Sequence, residues 1–121
     1  MAFLSTGPIE NNVSMVTGVR PTQQITIKVD NRSSGNAASA LIEGYHLNGT
    51  RTLYVSEFLN LAPNQVVTRN YYANLDAFEF TFTTSGMAEE EVQISFWGKD
   101  SSGQLVTAHR LVSSELLGEK E

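Results

Sequence analysis

The stretch AFEFTFTT, residues 77–84, decides the fold. Phe78, Phe80 and Phe82 fall at every second position, and Glu79, Thr81 and Thr83 occupy the places between and after them. Successive side chains of a β-strand point to opposite faces, so this period of two makes one apolar face and one polar face. A helix would spread the three rings around its circumference. Outward from it the same period recurs. Residues 91–99 turn Val92, Ile94 and Phe96 one way and Gln93, Ser95 and Lys99 the other. Residues 24–31 do the same with Ile25, Ile27 and Val29 against Thr26 and Lys28.

Turn residues separate the periodic runs. Asn48-Gly49, between residues 39–47 and 50–59, predicts a type I′ hairpin in which both residues take positive φ. Ala62-Pro63-Asn64 forms the next corner, residues 66–72 a strand, and Asn74-Leu75-Asp76 another turn. Asp100-Ser101-Ser102-Gly103 leads into a last strand over residues 104–112. The body therefore reads as seven strands, or eight with residues 13–19, at the spacing of roughly 8–12 residues usual for sandwiches. The predicted class is all-β, an antiparallel β-sandwich of jelly-roll or Ig-like type.

In front of that body lies a segment of different character. Residues 1–20 carry one acid, Glu10, and one base, Arg20, and are interrupted at Gly7-Pro8 and Gly18. Phe3, Leu4, Ile9, Val13, Met15 and Val16 give the segment scattered apolar side chains. The predicted division is an arm over residues 1–20, a sandwich over 21–113 and an acidic tail over 114–121, with one helical turn around Leu116 and Leu117. Such an arm is a disordered terminus, the first strand of its own sandwich, or a peptide that completes the open edge of a neighbour. The six apolar residues are the candidate assembly contacts.

Composition narrows the chemistry. At 121 residues the chain suits one domain with a real core. Charged residues make up 17%, below the roughly 25% of an average globular protein, and Asn, Ser, Thr and Gln fill the difference. A net charge of −5 argues against nucleic acid, whose phosphates need Lys and Arg. With no cysteine, disulfides, thiolate catalysis and Cys-based metal sites are excluded. Met1 to Pro8 lacks the basic start and apolar run of a secretory signal, and no stretch approaches a membrane span.

The candidate constellations are sparse. His46 and His109 lie in strands without carboxylates at ligand spacing, and Glu89-Glu90-Glu91 lacks the spaced ligands of a calcium loop. The sequons at Asn12, Asn31 and Asn48 are of the frequency expected in a chain rich in Asn, Ser and Thr. No catalytic residue, cofactor site or metal site is assigned, and the chain is read as a non-enzyme. Tyr45, Tyr54, Tyr71 and Trp97, with Tyr72 beside them, are candidate surface contacts. Trp97 falls opposite Val92, Ile94 and Phe96, and Tyr71 opposite Val66 and Tyr72, so both are read as outward. Such rings either stack on sugars or peptides or pack under a loop or a second subunit.

Leu61-Ala62-Pro63-Asn64, the phenylalanine strand, Phe96-Trp97-Gly98-Lys99-Asp100 and the following Leu105-Val106-Thr107-Ala108-His109-Arg110-Leu111 resemble the core domain of endospore appendage fibre subunits and related spore-surface proteins of Bacillus-type bacteria. The resemblance covers residues 25–112. It implies a jelly-roll subunit that polymerises into a fibre on the spore surface or in an extracellular appendage, with an N-terminal connector docking into neighbours and sheets joined laterally by β-augmentation. Residues 1–19 stand where that connector would be. The best-known members cross-link through cysteines, which this chain lacks, so burial of arm side chains has to hold any polymer, at roughly 1.5–3 kcal/mol for each large side chain. The expectation is thus a self-assembling structural subunit whose partners are its own copies. The alternative is a carbohydrate- or peptide-binding sandwich module.

Overall fold

The computed structural model describes residues 2–108 and 112–113. The chain folds as two antiparallel sheets packed face to face. Strands β1 (Ala2–Ser5), β2 (Ile9–Glu10), β3 (Gln24–Asn31), β4 (Ala38–Leu47), β5 (Arg51–Leu61), β6 (Val66–Tyr72), β7 (Ala77–Ser85), β8 (Val92–Lys99), β9 (Leu105–Ala108) and β10 (Val112–Ser113) follow one another in the chain. The first sheet has the order β10-β1-β7-β4-β5, with β2 also on β7, and the second has the order β6-β3-β8-β9. The all-β sandwich reading stands.

The phenylalanine strand sits at the centre of the first sheet, between β1 and β4, with its three rings inward and fully buried. Opposite them, Ile25, Ile27 and Val29 of β3 and Phe96 of β8 supply the other half of the core. A strand buried on one face and paired on both sides has its alternation enforced along its whole length, because a slip of one residue would turn three phenylalanines to water. Phe80 is the hub. Its ring lies 5.5 Å from Phe96, 5.7 Å from Tyr71, 6.0 Å from Tyr54 and 6.3 Å from Phe78, centroid to centroid.

Gly44 on β4 makes room for that hub. A Cβ built there would lie 2.6 Å from Cε2 and 2.7 Å from Cζ of Phe80, and 3.0 Å from Cβ of Val55. The β4–β5 register slips between Gly44 and Tyr45, leaving Tyr54 as the bulged residue. Because Phe80 is wedged by four rings, it cannot step aside. Gly44→Ala is expected to cost about 1–3 kcal/mol, overpacking outweighing the backbone entropy gained, and thermal unfolding of the purified variant would measure it. An unchanged or raised melting temperature would contradict this packing.

Two turns differ in how they match the sequence reading. At the corner after β5, Asn64 has φ 63° behind Pro63, and the Gln65 amide donates to the Ala62 carbonyl at 3.1 Å, which is a type II turn. At the β4–β5 hairpin only Gly49 is left-handed, with φ 78°, and Leu47 pairs Arg51, so the loop has three residues and is not the predicted type I′ turn. The Asn48 amide instead donates to the Thr50 carbonyl at 3.0 Å. Residues 13–19, predicted as a strand, contain none. The strand predicted over 104–112 is not one strand: Leu105–Ala108 form β9 on β8 of the second sheet, and Val112 begins β10 on β1 of the first. The acidic tail, Leu116, Leu117 and His109 lie outside the described residues.

Candidate functional site

The arm is built as a strand added to the first sheet. Backbone pairing sets Ala2 opposite Thr84, Phe3 opposite Thr83, Leu4 opposite Phe82 and Ser5 opposite Thr81, and then Ile9 opposite Phe78 and Glu10 opposite Ala77. The division predicted at residue 20 is therefore not a boundary in this fold: residues 2–10 are part of the sandwich. The physical reason is that β7 carries the deepest apolar face in the molecule, and without a neighbour its backbone N–H and C=O groups on that side would be unpaired.

Gly7-Pro8 interrupts the added strand without releasing it. Gly7 takes φ 67°, the Thr6 amide donates to the Phe80 carbonyl at 3.0 Å, and the Thr6 hydroxyl accepts the Phe80 amide at 3.1 Å. The Ser5 hydroxyl donates to Glu79 Oε2 at 2.8 Å and accepts the Gly7 amide at 2.9 Å. Among the six candidate assembly residues, Leu4 and Ile9 pack against the core, while Phe3 lies half-buried on the outer face. That outer face continues as a row across four strands, Phe3–Thr83–Leu41–Phe58, ending on an exposed Phe58.

Asn11 bolts the root of the arm to the body. It is buried, and its Nδ2 donates to the carbonyls of Thr22 at 2.7 Å, Ala73 at 3.0 Å and Leu75 at 3.0 Å. Its Oδ1 accepts the Thr22 amide at 3.0 Å, and its own amide donates to the Asp76 carbonyl at 2.7 Å. Arg20 closes the far side, bonding Asp76 Oδ1 at 2.7 Å and Asn74 Oδ1 at 3.2 Å. Residues 12–19 are thereby pinched into a loop, with Gly18 and Val19 turned back on Ser14 by two backbone bonds. The loop holds Val13, Met15, Val16 and Val19 in water, Met15 at 101% and Val16 at 94% relative exposure.

The candidate aromatic residues do not converge. Tyr45 lies on the outer face of the first sheet beneath the Arg51 guanidinium, 3.9 Å from the ring centroid. Trp97 is on the outer face of the second sheet, opposite Thr26. Tyr54 and Tyr71 pack edgewise and obliquely on Phe80 at the rim of the core. Tyr71 thus turns inward, correcting its outward reading, while Val66, Thr68, Asn70 and Tyr72 are the exposed residues of β6. Alternation alone identifies two faces but not which one is buried when an edge strand is polar on both. His46 lies one residue before the end of β4, and among the described residues no three His, Asp or Glu side chains gather as a metal site would need.

At that rim the edges of the two sheets meet, and there the structure holds a cluster the sequence reading passed over. Glu57 of β5 accepts Arg69 Nε at 2.6 Å and a short bond from the Tyr71 hydroxyl, both from β6. These two bonds, the tyrosine's first, hold the Glu57 carboxyl below its ordinary range, and burial with the Glu57 bond keeps the Tyr71 phenol protonated well above its own. The Tyr54 hydroxyl reaches across to the Tyr72 carbonyl at 2.5 Å. The signal was present in steps of two: Leu61, Leu59, Glu57 and Val55 share one face, so a carboxylate stands where the pattern asks for an apolar side chain.

No family model and no curated protein matches the chain. Among solved structures it is similar to the crystal structure of Thermotoga maritima 1070, with a TM-score of 0.52 and 9% identity over 93% of this chain and 89% of that one. It is also similar to the Anabaena sensory rhodopsin transducer, with a TM-score of 0.49 and 9% identity over 84% and 91% of the two chains. At such identity the first likeness bears on the fold alone.

Proposed function

We propose that the chain is a structural, self-associating β-sandwich, a subunit of a fibre on a bacterial spore or cell surface, in which copies exchange their N-terminal arms. The observation that carries this reading is the construction of the arm. Residues 2–10 reach the body through a backbone ladder and two inward side chains, Leu4 and Ile9, so a neighbour's arm would make the same contacts on β7. Exchange of an identical element is a low-cost route between monomer and assembly, since bonds lost in one chain are regained in the next. The connecting loop 12–19 is the hinge. Its exposed Val13, Met15, Val16 and Val19 are unfavourable in a lone subunit and would be covered where two hinges run side by side. The resemblance in strand phrasing to spore appendage subunits supports the fibre and the spore surface as its setting.

A cysteine pair tests the exchange directly, because the natural chain has none. Phe3 and Thr83 are Cα partners in the ladder, within disulfide reach. Phe3→Cys with Thr83→Cys, concentrated before oxidation, is expected to give a ladder of covalent multimers on non-reducing gels and filaments by negative-stain microscopy. A cross-linked monomer alone, at every concentration, would sink the proposal.

A further inference from the structure

We infer that Glu57, Arg69 and Tyr71 guard the β5–β6 side of the sandwich against pairing with a second copy of this chain. Among the described residues β5 and β6 each have one ladder neighbour, and they lie on the same side of the two packed sheets. β5 is also the longest strand, 11 residues. A long free edge next to a second free edge is a template for strand addition, and Leu53, Phe58, Val66 and Tyr72 along it are exposed. By its length and apolar surface this is the edge most open to self-pairing.

Its inward face is built against that outcome. Along β5 the inward series Leu61, Leu59, Glu57, Val55 places a carboxylate third, opposite Ile42. Along β6 the inward series Val67, Arg69, Tyr71 places a guanidinium second, opposite Ile27. Charged side chains that point inward on edge strands, together with a bulge, are the devices by which sheets resist edge-to-edge addition. Here both edges carry one, the two charges meet, and the bulge at Tyr54 lies three residues from Glu57. The pair keeps contact with water, at 40% relative side-chain exposure for Arg69 and 33% for Glu57. A strand added to β5 or β6 would strip that water, and desolvating two ions outweighs what their mutual attraction returns. The Tyr71 hydroxyl and the Tyr54–Tyr72 bond hold the two edges in this closed arrangement. The facing groups are thus one carboxylate, one guanidinium and two phenols.

The inference stands apart from arm exchange, which concerns the pairing of β1 and β2 on β7, separated from β5 by β4. The test places a single spin label on Ser56→Cys, exposed on β5, in the otherwise natural chain and in a chain carrying Glu57→Val with Arg69→Val. Dipolar broadening between labels reports β5 edges meeting and does not respond to arms paired on β7. The unguarded chain is expected to show intermolecular broadening and an association constant about a hundredfold above that of the natural chain. Equal broadening in the two folded proteins would overturn the guard. Should circular dichroism show the valine pair misfolded, Glu57→Gln with Arg69→Met keeps the volumes, removes both charges and carries the same two outcomes.

Discussion

Phe80→Ala is expected to remove about 5 kcal/mol of folding stability, the largest effect of any single truncation in this chain. The ring is completely buried, so truncation loses its transfer energy and leaves a cavity, about 3–5 kcal/mol together for a phenylalanine. Four aromatic partners then lose their contacts at once, each such pair adding roughly 0.5–1.5 kcal/mol beyond burial. The cavity cannot collapse, because Phe78 and Phe82 are fixed by the same strand and Phe96 by the opposite sheet. Domains of this size are stable by about 5–15 kcal/mol, so the variant should be at or beyond the margin of folding. Urea unfolding followed by tryptophan fluorescence would give the loss, and a decrease below about 2 kcal/mol would show that the hub is dispensable.

Asn11→Ala is expected to cost about 3 kcal/mol, although it deletes a small side chain near a terminus. Two buried carbonyls, one part-buried carbonyl and one buried amide lose their partner together, and a buried polar group left unpaired costs about 1–3 kcal/mol, less where water can enter. Asn11→Asp sharpens the test. It preserves the shape but replaces the donor by a carboxylate oxygen facing three carbonyl oxygens, so it should destabilise more than alanine does. Denaturation midpoints of the two variants would check that order, and faster hydrogen exchange at the Thr22 amide would localise the loss. Aspartate equal to or milder than alanine would mean that the bolt is not made by the amide donor.

Asn11 and its counterpart Asn31 mark where reading the chain stops working. Asn31 is also fully buried and donates to the carbonyls of Asn36, Ala62 and Leu61, while accepting the Ser33 amide. In the sequence both are asparagines beside turn residues, and nothing local separates them from the many asparagines left in water. What selects them is the arrival of carbonyls from residues 30 to 64 positions away. The guard at Glu57 was half legible. The break in alternation is visible on β5, but its partners Arg69 and Tyr71 are brought to it only by the corner at Pro63-Asn64. The arm was legible as a strand-like, nearly uncharged segment, but its pairing with its own β7 was not, since own edge and neighbour's edge offer the same hydrogen bonds.

The sequence by itself determined the body strands whose apolar residues recur at every second position, and not the total: the ten strands among the described residues include β1 and β2 of the arm, and residues 13–19 are not among them. The period of two in residues 24–31, 77–85 and 92–99 is a local property, written where Phe, Ile and Val alternate with Thr, Glu and Ser. Turns whose residues carry their own conformational preference, such as Pro63-Asn64, were determined in the same way. Only the tertiary structure decided which strand lies beside which, which face of a polar edge strand turns inward, and which asparagines become bolts. Those outcomes depend on where distant segments of the chain come to rest, and a side chain's energy is set there by its neighbours in space and not by its neighbours in sequence.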